Sequence, residues 1–423
     1  MATRIRSFSK VNLGLRIGAV RADGFHGLAT MYQTLGLYDI VTVSARRVEA
    51  GGRTRISLTT DHPRVPVDGR NTAWQMVERA LAAMGVEAEV SVHIEKRLPV
   101  QGGMGAGSAN AAAALIGLER EMLGWEVAGP ELAGPELTGT ELAGTELTGP
   151  ERLRLASAVG SDVPLFLVGG SVLGLGRGEL VVAMPDVILG GDEARTLAGG
   201  GVPCVVAMPR VGVSTPFAFR EWDGRHGGRL GGQPGASTVG ADEEPSVLGE
   251  IEGRVSVDDT GSGVSRLTSA PAHDTLDQLS LAYSSAFALS AGSGSKPGTS
   301  GIVGGHGLLV SCGVDSRGAR NDLAGNTLLA LVRIGIENDF EEVVFPYHPS
   351  LREIKRLLMG EDSGQPAVYA ALSGSGSALF GLYWSEGDAR AAQQRVQSSG
   401  TEAILTETLT RAEYWTRMFA NEV

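Results

Sequence analysis

The stretch Leu98–Glu121, LPVQGGMGAGSANAAAALIGLERE, places four glycines, Gly102, Gly103, Gly105 and Gly107, just ahead of a run of alanines. Glycine lets the main chain adopt φ > 0 and approach a ligand closely. The residues that follow predict a helix starting at about Ser108. The first backbone N–H groups of a helix are unpaired and carry partial positive charge. A glycine turn set against such a terminus is an anion site suited to a di- or triphosphate. Ser108 puts a hydroxyl at the mouth of the helix, where it can cap it, touch a phosphate or ligate Mg²⁺. Ala111 to Ala114 suit tight packing. The GK[ST] ending of a Walker A loop is missing, and so is a GxGxxG after an early βαβ unit. Taken alone, the stretch leaves open a turn that serves only close packing.

Upstream, RIRSFSKVNLGLRIGAV alternates and ends at the turn-like RADGFHG, so the first ~50 residues read as strands. LYDIVTVSAR and EVSVHIEKRLPV are further strands. Between these two, NTAWQMVERALAAMG is a helix with Ala73, Met76, Val77, Ala80 and Leu81 on one face and Gly85 as its stop. Downstream, AGNTLLALVRIG and SLREIKRLLMG have helical period, AVYAALSGSGSALFGLYW reads as strand, glycine turn, strand, and SGTEAILTETLT leads into a last strand. Strands come first with helices interspersed, which predicts an α+β fold.

Two segments stand apart. Residues 128–152 are five copies of a pentapeptide, AGPEL AGPEL TGTEL AGTEL TGPER. Pro and Gly in nearly every copy break a helix, so an expanded loop without chemistry is expected. Residues 224–300 are rich in Gly, Ser and charge and cannot bury enough apolar surface to offset chain entropy, so a disordered insertion is expected, with TLDQLSLAYSSAFALS as a short helical island.

The 423 residues suit two domains. The net charge of −12, without a dense basic block, argues against a nucleic-acid partner. No apolar run approaches the ~18 residues of a membrane span, and the N-terminus lacks a signal-peptide core. Cys204 and Cys312 show no metal or disulfide spacing, which suits reduced thiols in a cytoplasmic protein. Nothing calls for an obligate protein partner.

Four further places carry candidate chemistry. In VGSDVPLFLVGG, Asp162 lies between a helix end and an apolar strand, where a carboxylate can act as a general base or merely cap a turn. In SKVNLGL, Lys10 and Asn12 are i, i+2 and share one face of a strand, so an ammonium and an amide can meet a phosphate and a hydroxyl together, or simply face solvent. Phe25 and His26 sit together in a turn. LSGSGSALF is a second glycine turn, with three serines.

In their order along the chain these motifs resemble the GHMP kinase superfamily. Within it, RADGFHGLATMYQTLGLYDIVTV is similar to a block specific to the kinases of 4-diphosphocytidyl-2-C-methyl-D-erythritol. LPVQGGMGAGSANAAAAL resembles the phosphate loop P-x-x-x-G-L-G-G-G-S-S-x-A-A, and GSDVPLFLVGG resembles G-A-D-V-P-F-F. The resemblance covers about two thirds of the chain, leaving the two low-complexity segments unmatched.

It implies a two-domain GHMP kinase fold. Residues 1–184 would form an ATP-binding domain like the second domain of ribosomal protein S5. Residues 185–423 would form a ferredoxin-like substrate domain, with the substrate cleft between the two. It also implies that Pro99, Val100, Gln101, Gly102, Gly103, Met104, Gly105, Ala106, Gly107, Ser108 and Ala109 cradle ATP, with Ser108 near Mg²⁺. Asp162 would be the base and Lys10 the second catalytic residue, lowering the pKa of the carboxyl group. Asn12 would contact the small-molecule substrate, and Phe25 and His26 would hold its cytosine. The sequence departs from the family where Ala109 replaces a Ser, Ala106 a Gly that would have allowed φ > 0, and Ser161 an Ala. The implied activity is phosphorylation of the substrate's 2-hydroxyl. Alternatives are another GHMP kinase, acting on mevalonate, homoserine or a sugar, and a non-catalytic metabolite sensor of the same fold.

Overall fold

The computed structural model describes residues 2–21, 23–49, 52–100, 102–123, 146–187, 201–226, 331–332 and 335–420. Within them, β1 (Thr3–Val20) and β2 (His26–Arg47) pair antiparallel from Thr3 opposite Val43 to Val20 opposite His26. β2 is long enough to carry two more partners. Its residues 40–47 pair with β4 (Ala88–Glu95) and its residues 30–33 with β5 (Ser171–Leu175). β3 (Arg55–Thr60) adds parallel to β4 and β6 (Leu180–Ala183) antiparallel to β5, which completes a six-stranded sheet.

Helix α1 (Thr72–Met84) buries the face expected of it, is capped by the Asn71 side chain, and ends at Gly85 with φ 65°. Helix α2 (Ala106–Leu123) begins two residues before Ser108 and lies between the sheet and α1. The alanine run now has a cause: Ala111 to Ala114 are at most 3 % exposed. A Cβ on Gly117 would stand 2.6 Å from Cγ2 of Val43, so the helix rides as close to the sheet as backbone allows. That close approach fixes where the N-terminus of α2 points.

The expected loop at 128–152 ends sooner than its composition suggests. Helix α3 (Gly149–Val159) starts inside the last pentapeptide, with Thr148 and Glu151 bonding each other's backbone N–H groups in a capping box. Pro and Gly break helix interiors, but the first turn tolerates them because its N–H groups have no intrahelical acceptor. Residues 124–145, which take in most of the repeat, lie outside the described residues.

From α3, Arg152 donates at 2.8 Å to Glu119 of α2, whose side chain is 1 % exposed. Burial pushes the Glu119 carboxyl up to about 7, against the pull of Arg152. A raised carboxyl pKa contributes stability that is present below its unfolded value and lost as pH rises through the folded one. Arg152→Met removes the counter-charge and raises that value further. The variant should lose roughly 3–5 kcal/mol at pH 8 and less at pH 6, read as urea midpoints at the two pH values.

The second sheet holds β7 (Pro203–Met208), β8 (Tyr369–Leu372), β9 (Leu379–Leu382) and β10 (Glu402–Glu407), all antiparallel in the order β10-β7-β9-β8. Helices α4 (Thr215–His226), α5 (Phe340–Val344) and α6 (Pro349–Met359) lie between β7 and β8 in the chain, and α7 (Glu386–Ser398) between β9 and β10. This β-α-β-β-α-β order is the ferredoxin-like arrangement. Helix α4 runs on through 224–226, residues expected to open the insertion. His226 stacks on Trp222 at 3.8 Å and Arg225 donates to the Glu342 carbonyl, so side-chain contacts extend the helix past Gly224. Residues 227–300 and the helical island among them lie outside the described residues, as do Cys312 and most of AGNTLLALVRIG.

The last helix, α8 (Arg411–Met418), does not stay with the second sheet as a division at residue 184 implies. Leu409, Tyr414 and Met418 are buried in the first core. The Tyr414 hydroxyl donates to the Phe166 carbonyl at 2.7 Å and the Trp415 indole to Val168 at 3.1 Å. The end of the chain therefore clamps the 3₁₀ turn Pro164–Leu167 that follows Asp162.

Candidate active site

Lys10 and Asn12 on β1 lie beside Thr30 and Tyr32 on β2, with Asn12 directly opposite Tyr32. Alternation along paired strands brings these side chains to one place. Lys10 Nζ donates to Asn12 Oδ1 at 2.7 Å, Asn12 Nδ2 to Thr30 Oγ1 at 2.7 Å, and Thr30 in turn to the Gly14 carbonyl at 2.9 Å. Lys10 is 3 % exposed, so this strand face is no solvated one.

Asp162 arrives from the turn between α3 and the 3₁₀ segment. Its Oδ2 stands 3.3 Å from Lys10 Nζ and its Oδ1 accepts from the Tyr32 hydroxyl at 2.9 Å. The carboxylate therefore caps nothing; it faces a cation and a phenol at the foot of a cavity of about 650 Å³. Asp162 is reached from that cavity, while Lys10 supplies a nearly dry positive charge beneath it. The desolvated ammonium is compensated by the carboxylate and by the Asn12 amide.

The far end of the cavity is aromatic. His26 lies parallel to Phe219 of α4 at 5.2 Å. Its Nδ1 donates to the Gly18 carbonyl at 2.9 Å, and its Nε2 faces Asp223 Oδ1 at 2.9 Å. Phe25 is exposed, with the Arg177 guanidinium over its ring at 5.1 Å. Leu15 of β1, Thr215 of α4 and Phe340 of α5 close the walls.

On the other side of the glycine turn is a second cleft, of about 360 Å³, lined by Pro99, Val100, Met104 to Ser108, Asn71 and Lys96. Gly103 borders both cavities. The turn is fastened on every side. Lys10 N–H donates to the Met104 carbonyl, Ala378 N–H to Gly102, and Ser373 Oγ to Gly103. Asp39 anchors its entry by accepting from the backbone of Arg97 and Leu98 and from Lys96 Nζ. Gly102, Gly103 and Gly105 have positive φ, as a close-approach turn requires. Ala106 already belongs to α2, so its replacing a glycine sacrifices no left-handed conformation. Ala109 is buried, 2 % exposed, and gives the cleft no hydroxyl. Gln101 lies outside the described residues.

Thr30, Tyr32, Arg177, Phe219 and Asp223 were not singled out from the sequence. Phe219 and Asp223 are i, i+4 on α4, a spacing that shares one helix face and was available as a signal. Thr30 and Tyr32 share the period-two spacing of Lys10 and Asn12. Arg177, in a short turn, offered no such pattern.

Residues 71–170 match the family model of the GHMP kinases N terminal domain and residues 324–402 that of the GHMP kinases C terminal domain. The 4-diphosphocytidyl-2-C-methyl-D-erythritol kinase of Kineococcus radiotolerans is 31 % identical over 323 residues, 75 % of this chain and 83 % of that protein. This chain belongs to the GHMP kinase family. Two more 4-diphosphocytidyl-2-C-methyl-D-erythritol kinases match over shorter stretches. That of Nocardioides sp. is 37 % identical over 52 % of this chain and 62 % of its own length. That of Rhodococcus jostii is 35 % identical over 52 % and 58 %. The chain thus spans less than two thirds of these two relatives. Two crystal structures share the GHMP kinase fold. A 4-(cytidine 5'-diphospho)-2C-methyl-D-erythritol kinase has a TM-score of 0.52 at 21 % identity, covering 96 % of this chain and 98 % of that one. A homoserine kinase from Cytophaga hutchinsonii has a TM-score of 0.54 at 16 % identity, covering 98 % and 96 %. The backbone alone does not separate the substrates of these two GHMP kinases, so substrate choice has to be argued from side chains. Among the described residues no group of three or more His, Cys, Asp or Glu side chains is placed to hold a metal, and no helix is long and apolar enough to cross a membrane.

Proposed function

We propose that this GHMP kinase transfers the γ-phosphoryl group of ATP to the 2-hydroxyl of 4-diphosphocytidyl-2-C-methyl-D-erythritol. The observation that carries the reading is the Lys10–Asp162 pair in a cavity with an aromatic–histidine end, one glycine away from a second cleft at the N-terminus of α2. Under this reading ATP lies in the second cleft with its phosphates over Gly103 to Ser108, where backbone N–H groups and the helix dipole meet negative charge. Mg²⁺ would come with the nucleotide, since the lone Ser108 hydroxyl suits an ion that keeps phosphate and water ligands; it would neutralise charge on the transferred group.

The chain's own groups do the rest. Asp162 accepts the proton of the attacking hydroxyl, and Lys10 favours the ionised carboxylate and offsets charge building at the oxygen. Asn12 is held by Lys10 and Thr30 and contacts the substrate. Phe25 stacks on the cytosine, and His26, with Nδ1 tied to Gly18, offers it Nε2, a position shared with Asp223. The cytidyl end is what favours this substrate over mevalonate or homoserine, which have nothing to stack. The enzyme is read as cytoplasmic, working on the ATP pool there.

The test is ADP release by the full chain with Mg-ATP, offering the cytidyl substrate beside mevalonate and homoserine. Turnover on the cytidyl substrate alone is expected. Turnover on another alcohol would overturn the substrate, and ATP binding without any turnover would favour a sensor.

A further inference from the structure

The geometry points to Tyr32 as a positioning residue: its hydroxyl holds Oδ1 of Asp162 and so presents Oδ2 to Lys10 and to the accepting hydroxyl. This rests on the reading of Asp162 as the base. Tyr32 is 2 % exposed and its hydroxyl lies 2.9 Å from Oδ1, while Lys10 Nζ lies 3.3 Å from Oδ2. The two oxygens are thereby made different. One is held by a neutral donor, and the other faces the cation.

The seat of the phenol is built for it. A Cβ on Gly174 of β5 would stand 2.5 Å from Tyr32 Cε2, and one on Gly178 would be driven into the hydroxyl. Gly178 has φ 106°, so this turn depends on glycine for its conformation as well as for space. The ammonium of Lys10 stands over the same ring at 5.5 Å. A buried hydroxyl needs an acceptor, and the one it has is Asp162. Burial first, and then the neighbouring carboxylate of Asp162, push the phenol well above its ordinary value, so it stays a protonated donor across the working pH range. Without that donor, both carboxylate oxygens are open to Lys10, and the group can turn to pair more closely with the ammonium than with the substrate.

Tyr32→Phe keeps the ring and removes only the donor. Losing a hydrogen bond to a charged group predicts a fall in kcat of about 10- to 100-fold, with KM for ATP nearly unchanged. The readout that separates positioning from packing is a double-mutant cycle with Asp162→Asn. If Tyr32 acts through Asp162, Tyr32→Phe has no further effect in the Asp162→Asn background. Full kcat in Tyr32→Phe, or an equal loss in both backgrounds, would overturn the proposal. A measurement independent of turnover keeps this distinct from the choice of substrate. In ¹³C-tyrosine-labelled protein, the Tyr32 Cζ resonance, assigned with Tyr32→Phe, should move in Asp162→Ala, which takes the acceptor away from the hydroxyl. A resonance that stays in place would overturn the contact even if no tested alcohol is phosphorylated.

Discussion

Asp162→Asn should lower kcat on the cytidyl substrate by about 10²- to 10⁴-fold, the usual contribution of a positioned general base. The side chain keeps its shape, and Tyr32 can still donate to the amide oxygen. What disappears is the negative charge and the basic oxygen facing Lys10 at 3.3 Å. Lys10 still donates to Asn12 at 2.7 Å, so its buried ammonium is not left without a partner. The melting temperature should therefore fall by only a few degrees, about what 1 kcal/mol produces in a domain of this size. KM for ATP should barely move, because the second cleft, where ATP is proposed to lie, is walled by other residues. Steady-state ADP release and a thermal melt on the same preparation check both halves. Turnover at the level of the unmodified chain would remove Asp162 from the chemistry.

Which parts of this site can be read from the chain depends on how local the physics is. Lys10 and Asn12 are legible because a strand repeats every two residues, and the glycine turn is legible because glycine and alanine runs report backbone demands directly. The role proposed for Phe25 and His26 comes only from family resemblance. The hydrogen bond from Tyr32 to Asp162 joins positions 130 apart in sequence, and no period links them. Asp223 reaches His26 only because α4 packs across the cavity from the start of β2. The return of α8 to the first core is likewise a tertiary matter: Tyr414 and Trp415 find their partners at Phe166 and Val168, far upstream.

Two misreadings have a common root in composition. Gly149 and Pro150 belong to a pentapeptide repeat and look like loop, yet T-x-x-E at Thr148 and Glu151 is a capping box, a helix-start signal that the repeat obscures. Ala106 looks like a defect in a glycine motif because the motif is read as a string. In space the turn needs positive φ at Gly102, Gly103 and Gly105, and the helix has begun by Ala106. Position within the element, rather than residue frequency, decides both.

The wall between the two cavities supplies the other large expected effect. Gly103 has φ 80°, and a Cβ there would be driven into the carbonyl oxygen of Ser373. That carbonyl cannot swing aside, because it accepts the Gly376 N–H at 2.9 Å, and Ser373 Oγ is itself bound to the Gly103 carbonyl at 3.0 Å. Gly103→Ala must therefore move the first glycine turn away from the serine–glycine turn. Lys10 moves with the loop, since its N–H is bonded to Met104. One methyl group thus disturbs both cavities and Lys10 beside them. A misplacement of this kind should cut kcat/KM for both substrates by about 10²-fold or more, with about 1–3 kcal/mol of stability lost to strain and overpacking. Gly212→Ala is the matched control, since nothing lies within 4 Å of a Cβ there and its φ is not positive. Initial-rate kinetics with each substrate varied in turn, beside urea unfolding of both variants, give the comparison. If Gly103→Ala raised only KM for ATP and left the alcohol kinetics intact, the loop would serve the nucleotide alone and the shared-wall geometry would carry no coupling.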